Sequence, residues 1–433
     1  MSGPLSSNLR NDLGRVIVKA RQAAESGARN ALDSLAVGHH EPHGSMSLDD
    51  RALRNRLRAR GRQLGDVRDK QRGSQSIDRL LHEVAYEHWH RMLFARYLAE
   101  NELLIHPEEK VAVSLDDVEE LAREAGIDPR DLAAQYAQGA LPQIFRSGDP
   151  VLDVKLPPES RQTLDKLLDS LPSEVFTADD SLGWTYQYWQ TEKKDAVNES
   201  GDKIGADELP AVTQLFTEPY MVLFLYHNTI GAWHAGKVLA ANPNLAESAQ
   251  SEQELRDAVA VHTDGGEEVW EYLRFVREPQ EGDEEDTPTG PWRPAAGTFE
   301  GWPTTAKELK VLDPCCGSGH FLVVGFKLLV RLRMQEEGLS VEDAINAVLT
   351  DNLYGLELDP RCTQIAAFNV AMAAWSMAGK QIDLPEMHIA CSGLAVGSTK
   401  AEWTKLAEGD ARLESGMGAL YDLFEQAPEL GSL

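Results

Sequence analysis

Along the first half of the chain, apolar residues recur every three or four positions, and that spacing predicts helices. One helix is expected around 10–35, followed by a loose connector, "GHHEPHGS". From 48 to 140 the pattern stays helical, most clearly in "SIDRLLHEVAYEHWHRMLFARYLAENELL". "SLDDVEELAREAGI" opens on Ser114, a capping residue, with acids in the first turn that complement the helix dipole. Pro157-Pro158 interrupts the run and "ESRQTLDKLLDSL" resumes it. "DSLGWTYQYWQTEKKDAV" then brings Trp184, Tyr186, Tyr188 and Trp189 together.

The second half changes character. Residues 209–239 read as a loop followed by a long amphipathic helix, and the acidic, Pro- and Gly-rich stretch 276–292 reads as a loop or linker. After it, strands alternate with helices. "LKVLDP" is a strand, "GHFLVVGFKLLVRLRMQEEG" and "SVEDAINAVLTD" are helices, and "NLYGLEL" is a strand. "PRCTQIAAFNVAMAAWSMAG" is a helix and "MHIACS" a strand. That βαβαβ order predicts an open parallel sheet, and no internal repeat is evident.

Composition is ordinary for a globular chain of 433 residues, with 42% hydrophobic and 26% charged positions, enough for two or three domains. No run approaches a membrane span, and the N-terminus lacks an apolar secretion core. Four cysteines, Cys315, Cys316, Cys362 and Cys391, fit no disulfide framework, so a reduced, cytoplasmic setting is expected.

Net charge changes the picture more. At −28 it argues against a general nucleic-acid coat, yet it is uneven. Residues 51–72, "RALRNRLRARGRQLGDVRDKQR", carry eight Arg and one Lys against two Asp, a local excess of +7. Two readings stand: a solvated helix face, or an arm that contacts phosphates.

The chemistry-bearing stretch is "VLDPCCGSGHF", residues 311–321. A strand that ends in a Gly-rich turn and feeds a helix is a cofactor cradle, because glycines let a ligand approach the backbone and the helix N-terminus offers free N–H groups. A phosphate loop needs Gly-Lys-Ser/Thr, whereas Gly319 is followed by His320 and Phe321. A dinucleotide fingerprint needs a third glycine at 322, which is Leu. "NLYGLELDP" adds Glu357 at the carboxyl edge of the next strand, where an acid can accept hydrogen bonds from both ribose hydroxyls, about 1.5–3 kcal/mol each.

Asp313-Pro314-x-x-Gly317-Ser318-Gly319-His320-Phe321 resembles motif I of the S-adenosylmethionine-dependent DNA adenine methyltransferases, and "LYGLELDP" resembles their motif II. "QLFTEPYMVLFL" resembles their motif X, with Glu218 inserted between Thr217 and Pro219. "LGWTYQYWQTEKKDAV" and the helical region from about 76 to 105 further resemble the large adenine methyltransferases of bacteriophage-exclusion systems. The resemblance covers roughly residues 76–433. It implies an α/β protein: a mostly helical N-terminal region followed by the first half of a Rossmann-like class I methyltransferase sheet. The divisions expected are 1–48, an N-terminal helix and linker; 49–205, a helical domain; and 206–433, an incomplete methyltransferase domain.

The resemblance also implies a cofactor, S-adenosylmethionine, and its holders. Asp313, Pro314, Cys315, Gly317, Ser318, Gly319, His320 and Phe321 form the loop at the methionine moiety. Glu357 binds the ribose, Leu358 lies against the adenine ring, and Phe216 and Thr217 close over the amino-acid end. Where motif III carries an acid after the third strand, this chain has "IACSGL", with Ser392.

The family's Asn/Asp/Ser-Pro-Pro-Tyr/Phe tetrapeptide, whose oxygens accept the hydrogens of a flipped adenine's amine, is absent. "ANPNLA" lacks a second Pro and an aromatic, and "LPPES" lacks the polar first residue. The expectation is the N-terminal portion of a larger or split enzyme, inactive by itself. Its partners would be double-stranded DNA and a C-terminal half or other defence subunits, and no membrane. A non-catalytic scaffold, a DNA-recognition subunit, or a protein or RNA methyltransferase are the alternatives. "HEVAYEHWH" misses the zincin pattern because Tyr86 stands where the second His is required. Cys315, Cys316, His320 and Cys391 contain no C-x-x-C pair, so no metal is expected. The aromatics from Trp184 to Trp189 stack bases or form a packed interdomain cluster.

Overall fold

The computed structural model describes residues 3–142, 144, 148–201, 212, 216–283, 288–298, 301–392, 399–407 and 409–425. The chain divides into two units, Met1–Gln214 with Ala395–Glu429, and Leu215–Leu394 with Leu430–Leu433. The division thus falls at 214/215, and the expected break at 48/49 lies inside the first unit.

The first unit is helical. Its elements are α1 (Ser7–Ser34), α2 (Leu48–Gln63), α3 (Asp78–Glu100), α4 (Leu115–Ala125), α5 (Pro129–Ala140), α6 (Pro158–Asp169), α7 (Ser173–Thr177), α8 (Ser181–Trp189) and α9 (Thr191–Ser200). The apolar stripe of α1, Leu13, Ile17, Ala20, Ala24, Ala28 and Leu32, is buried against α3, α6 and α8. Ser114 caps α4 in a reciprocal capping box with Asp117, as its sequence predicts.

Within the segment 51–72, Arg54 and Arg58 of α2 belong neither to a solvated face nor to a phosphate arm. Arg54 and Arg58 are only 5% and 7% exposed. Arg54 donates to the carbonyls of Ala36 at 2.9 Å, His39 at 2.6 Å and His40 at 3.1 Å. Arg58 donates to those of Val37 at 2.7 Å and Gly73 at 2.9 Å. Arg60 lies 3.2 Å from both Glu83 and Asp149, and Arg56 pairs with Asp153 at 2.8 Å. A guanidinium has five donors in a rigid fork, so it can gather the carbonyls of a connector that has no secondary structure to satisfy them. Arg54 and Arg58 are internal staples, whereas the Arg56–Asp153 pair lies on the surface.

The aromatic residues Trp184, Tyr186, Tyr188 and Trp189 lie on α8 of the first unit. Tyr186 is 6.2 Å and Trp189 6.0 Å from Tyr86, both edge-on, and the Arg10 guanidinium lies 4.7 Å above Trp184. Within the first unit the cluster packs α8 against α3, and α1 reaches it through Arg10. His90, from the zincin-like stretch, stacks on Tyr86 at 3.7 Å. Residues of the same unit further along the chain form two more helices, α17 (Lys400–Lys405) and α18 (Ala411–Glu425).

The second unit opens with α10 (Pro219–Tyr226), a π-helical turn (His227–Gly231) and α11 (Ala232–Ala241), one continuous run where a simple amphipathic helix was expected. His227 in that turn accepts the Tyr272 N–H at 3.1 Å and faces Glu268 at 3.2 Å, which accounts for the widened turn. After α12 (Pro243–Ser248) and α13 (Glu252–Val259), β1 (Val261–Thr263) pairs antiparallel with β2 (Gly266–Glu268). β3 (Phe275–Arg277) pairs with β4 (Trp292–Pro294), so the acidic stretch is the loop between two strands. Residues 284–287 of it lie outside the described residues.

The strand–helix alternation forms a parallel sheet in the order β5-β6-β7, from β5 (Val311–Asp313), β6 (Leu353–Glu357) and β7 (His388–Cys391). The crossovers are α14 (His320–Glu337) with α15 (Val341–Asp351), and α16 (Pro360–Ala378). Leu322, Phe326 and Leu329 of α14 and Val370 and Ala374 of α16 are wholly buried in its core. Among the described residues β5 pairs only with β6, and its Leu312 is 56% exposed. No helix of the described residues is long and apolar enough to cross a membrane.

Candidate functional site

The parallel register Asp313↔Gly355 and Glu357↔Cys391 brings the carboxyl ends of three strands into one row. Asp313 ends β5, and its carboxylate accepts the Cys315 N–H at 3.1 Å, an Asx turn that starts the loop. Burial pushes the Asp313 carboxyl above its ordinary pKa, and the Cys315 bond opposes that. The Cys316 N–H then donates to the Leu356 carbonyl at 2.9 Å, tying the loop to β6.

The two glycines answer to different constraints. Both have left-handed backbone, Gly317 at φ 53° and Gly319 at φ 82°. A Cβ on Gly319 would stand 2.9 Å from Ala366 Cα on α16, so this glycine seats the start of α14 against its neighbour. A Cβ on Gly317 would meet nothing within 4 Å. Gly317 therefore presents bare backbone to open space beside the first turn of α14, whose N–H groups lack intrahelical partners.

Glu357 is 7% exposed and its carboxylate holds three backbone N–H groups. Oε2 accepts from Gly317 at 2.8 Å, and Oε1 accepts from Leu358 at 2.8 Å and Asp359 at 3.0 Å. Burial raises its pKa, and the Asp359 and Gly317 N–H bonds pull it back down. A carboxylate has about four acceptor sites, so Oε2 retains capacity for one more donor. Ser392 donates its N–H to the Glu357 carbonyl at 2.8 Å, so the third strand ends beside it.

The remaining expected residues fall around this clasp. Phe216 and Thr217 are half-buried, and the Phe216 ring lies 4.5 Å from that of His320. Pro314 and Cys315 are exposed; Ser318, Phe321 and Leu358 are half-buried. Cys316 and Cys362 are buried, and among the described residues no group of three His, Cys, Asp or Glu could hold a metal.

Three supporting residues escaped the sequence reading. Asn369 on α16 donates to the Ser318 carbonyl at 3.2 Å, and Tyr226 at the end of α10 donates to the Phe321 carbonyl at 2.9 Å. Asp359 caps α16 by accepting the Arg361 N–H at 2.9 Å. One signal was legible: Asn369 is the lone amide in the apolar run "IAAFNVAMAAW".

A glycine turn between a strand and a helix, clasped by an acid at the next strand end, is an arrangement that can cradle a nucleoside-bearing cofactor. The family described as the DNA-methyltransferase domain of MmeI matches residues 301–388, which span β5 and β6 and reach the first residue of β7. The chain is 26% identical over 400 residues to the adenine-specific methyltransferase BrxX of Escherichia coli, covering 84% of this chain and 30% of that protein. It is 27% identical over 403 residues to the adenine-specific methyltransferase PglX of Lacticaseibacillus casei, covering 83% and 31%. Over 119 residues it is 35% identical to PglX of Streptomyces coelicolor, covering 27% and 9%. The resemblance to adenine-specific methyltransferases read from the motifs is borne out. The chain spans just under a third of the length of the first two relatives.

Proposed function

We propose that this chain is the cofactor-binding portion of a DNA adenine-N6 methyltransferase that uses S-adenosylmethionine, working in phage defence or restriction-modification. The observation that carries the reading is the Glu357–Gly317 clasp: a buried carboxylate with one acceptor site to spare, beside a glycine whose outer side is open. S-adenosylmethionine supplies an electrophilic methyl group. The residues of this chain bind and orient it. Glu357 accepts a ribose hydroxyl through Oε2, Asp313 and the 314–321 loop cradle the methionine end, Phe216 and Thr217 close over it, and Leu358 lies against the adenine.

The residues that hold the target adenine lie in a further segment, since the polar-Pro-Pro-aromatic tetrapeptide is absent from these 433 residues. The greater length of the relatives supports this, as do two features of the second unit. Among the described residues β5 has a second edge without a strand partner and Leu312 is exposed, and Tyr220, Met221, Phe224 and Leu225 of α10 are each about half exposed. A further portion of the sheet would cover such apolar surface. Double-stranded DNA is the substrate in this reading. Titration calorimetry with S-adenosylmethionine tests it. Saturable binding that S-adenosylhomocysteine displaces is expected, and heat of dilution alone would overturn the cofactor assignment.

A further inference from the structure

The stapled arginines of α2 leave a second group of cations unexplained. Just beyond α2 the chain forms a tight turn that projects Arg68, Lys70 and Arg72, all exposed, with Arg62 and Arg79 exposed at its base. The turn is rigid. Arg68 and Gln75 form a bridge, the Ser76 N–H donates to Val67 at 3.0 Å, and the Gly73 N–H donates to Asp69 at 2.8 Å. The Asp69 carboxylate accepts the N–H groups of Gln71 at 2.8 Å and Arg72 at 3.0 Å. From below, Arg58 grips the Gly73 carbonyl. Within residues 67–72 the one acidic residue is Asp69, which that turn already employs and which stands 3.9 Å from Arg72. Arg68 and Lys70 make no side-chain hydrogen bond or ion pair among the described residues.

Three exposed cations on a braced turn, in a chain of net charge −28, form a local attractor for a polyanion, and bracing lowers the ordering cost of contact. We propose that the turn 67–72 contacts the phosphate backbone of double-stranded DNA through Arg68, Lys70 and Arg72. This inference rests on the DNA reading above. It moves the phosphate contact off α2, whose Arg54 and Arg58 are consumed internally, onto the turn that Arg58 supports. The contact is independent of sequence, because phosphates carry no base identity.

The test compares the full chain with Arg68→Gln/Lys70→Gln/Arg72→Gln, and with a charge-matched control, Arg123→Gln/Lys155→Gln/Lys166→Gln, on exposed positions elsewhere in the same unit. Fluorescence anisotropy with a labelled duplex is read across a salt series. The turn variant should bind roughly tenfold or more weakly near 0.1 M salt, and its log–log salt slope should fall by about 2 to 3, close to 0.9 per lost contact. The control should match the parent. Equal losses in both variants would reduce the effect to overall charge and overturn the proposal. A parent that binds duplex with the turn variant unchanged would overturn the turn alone, leaving the DNA reading intact. A parent with no duplex binding would overturn both. Loss of binding to anionic lipid vesicles, without loss on DNA, would assign the turn to a membrane surface instead.

Discussion

The Glu357 carboxylate accepts the Gly317 N–H at 2.8 Å across two strand ends, so the acid expected to hold a ribose also shapes the loop expected to hold the methionine end. The two roles are separable. Glu357→Gln keeps an acceptor oxygen but loses the charge and places an amide where N–H groups converge, whereas Glu357→Ala loses both. We expect S-adenosylmethionine affinity to fall by about 1.5–3 kcal/mol in Glu357→Ala, and by less in Glu357→Gln. Equal calorimetric affinity of Glu357→Ala and the parent would sink the ribose assignment.

The two glycines should part company under substitution. Gly319→Ala drives a Cβ to 2.9 Å from Ala366 in left-handed backbone and should destabilise the second unit by about 2–4 kcal/mol. Gly317→Ala bears the backbone cost alone, about 1–2 kcal/mol, yet occupies the open space and should weaken cofactor binding at least tenfold. Urea denaturation beside calorimetry separates the two, and identical profiles would contradict the assignment.

Arg54→Ala and Arg58→Ala should each destabilise the first unit by about 2–4 kcal/mol, because each orphans carbonyls of the connector that carries Ala36 to His40. Neither change should alter the salt slope of DNA binding on folded protein. A shallower slope with unchanged stability would restore the phosphate-arm reading.

His88 provides a pH signature. Burial holds its pKa down to about 4 against an ordinary 6.5, opposed by a hydrogen bond with the Val151 carbonyl. The unfolded state therefore binds a proton between those values that the folded state refuses. Stability from this group is complete above pH 6.5 and is lost as pH falls toward 4, by at most about 3 kcal/mol. His88→Gln, which keeps a donor for Val151, should flatten the fall in urea midpoint between pH 7 and pH 4.5. An unchanged fall would place the titration elsewhere.

The chain by itself should transfer no methyl group to DNA. Binding a cofactor does not lower a barrier unless something holds the transition state. Incubation with radiolabelled cofactor and unmethylated duplex checks this. Label on adenine above background would mean that an unrecognised site within these residues performs the chemistry.

The order of the elements and the strand–turn–helix loop at 311–321 were legible in the sequence because their causes are local. Period-three and period-four spacing marks amphipathic helices, Ser114 announces its own cap, and the Asp-Pro…Gly-x-Gly turn between two apolar runs admits few backbone paths. Glu357 was legible for the same reason, standing at the end of a short strand. What tertiary structure alone decided is where each group's hydrogen bonds go. Arginines spaced along α2 look alike in sequence whether they face solvent, phosphate or the carbonyls of residues 36–40, and only the path of that connector settles it. The two glycines carry the same letter, yet one is required by Ala366, forty-seven residues further on, and the other is open. Asn369 and Tyr226 reach the loop from distant helices. Hydrophobic periodicity is written residue by residue, whereas the satisfaction of buried polar groups depends on partners brought close only by the fold.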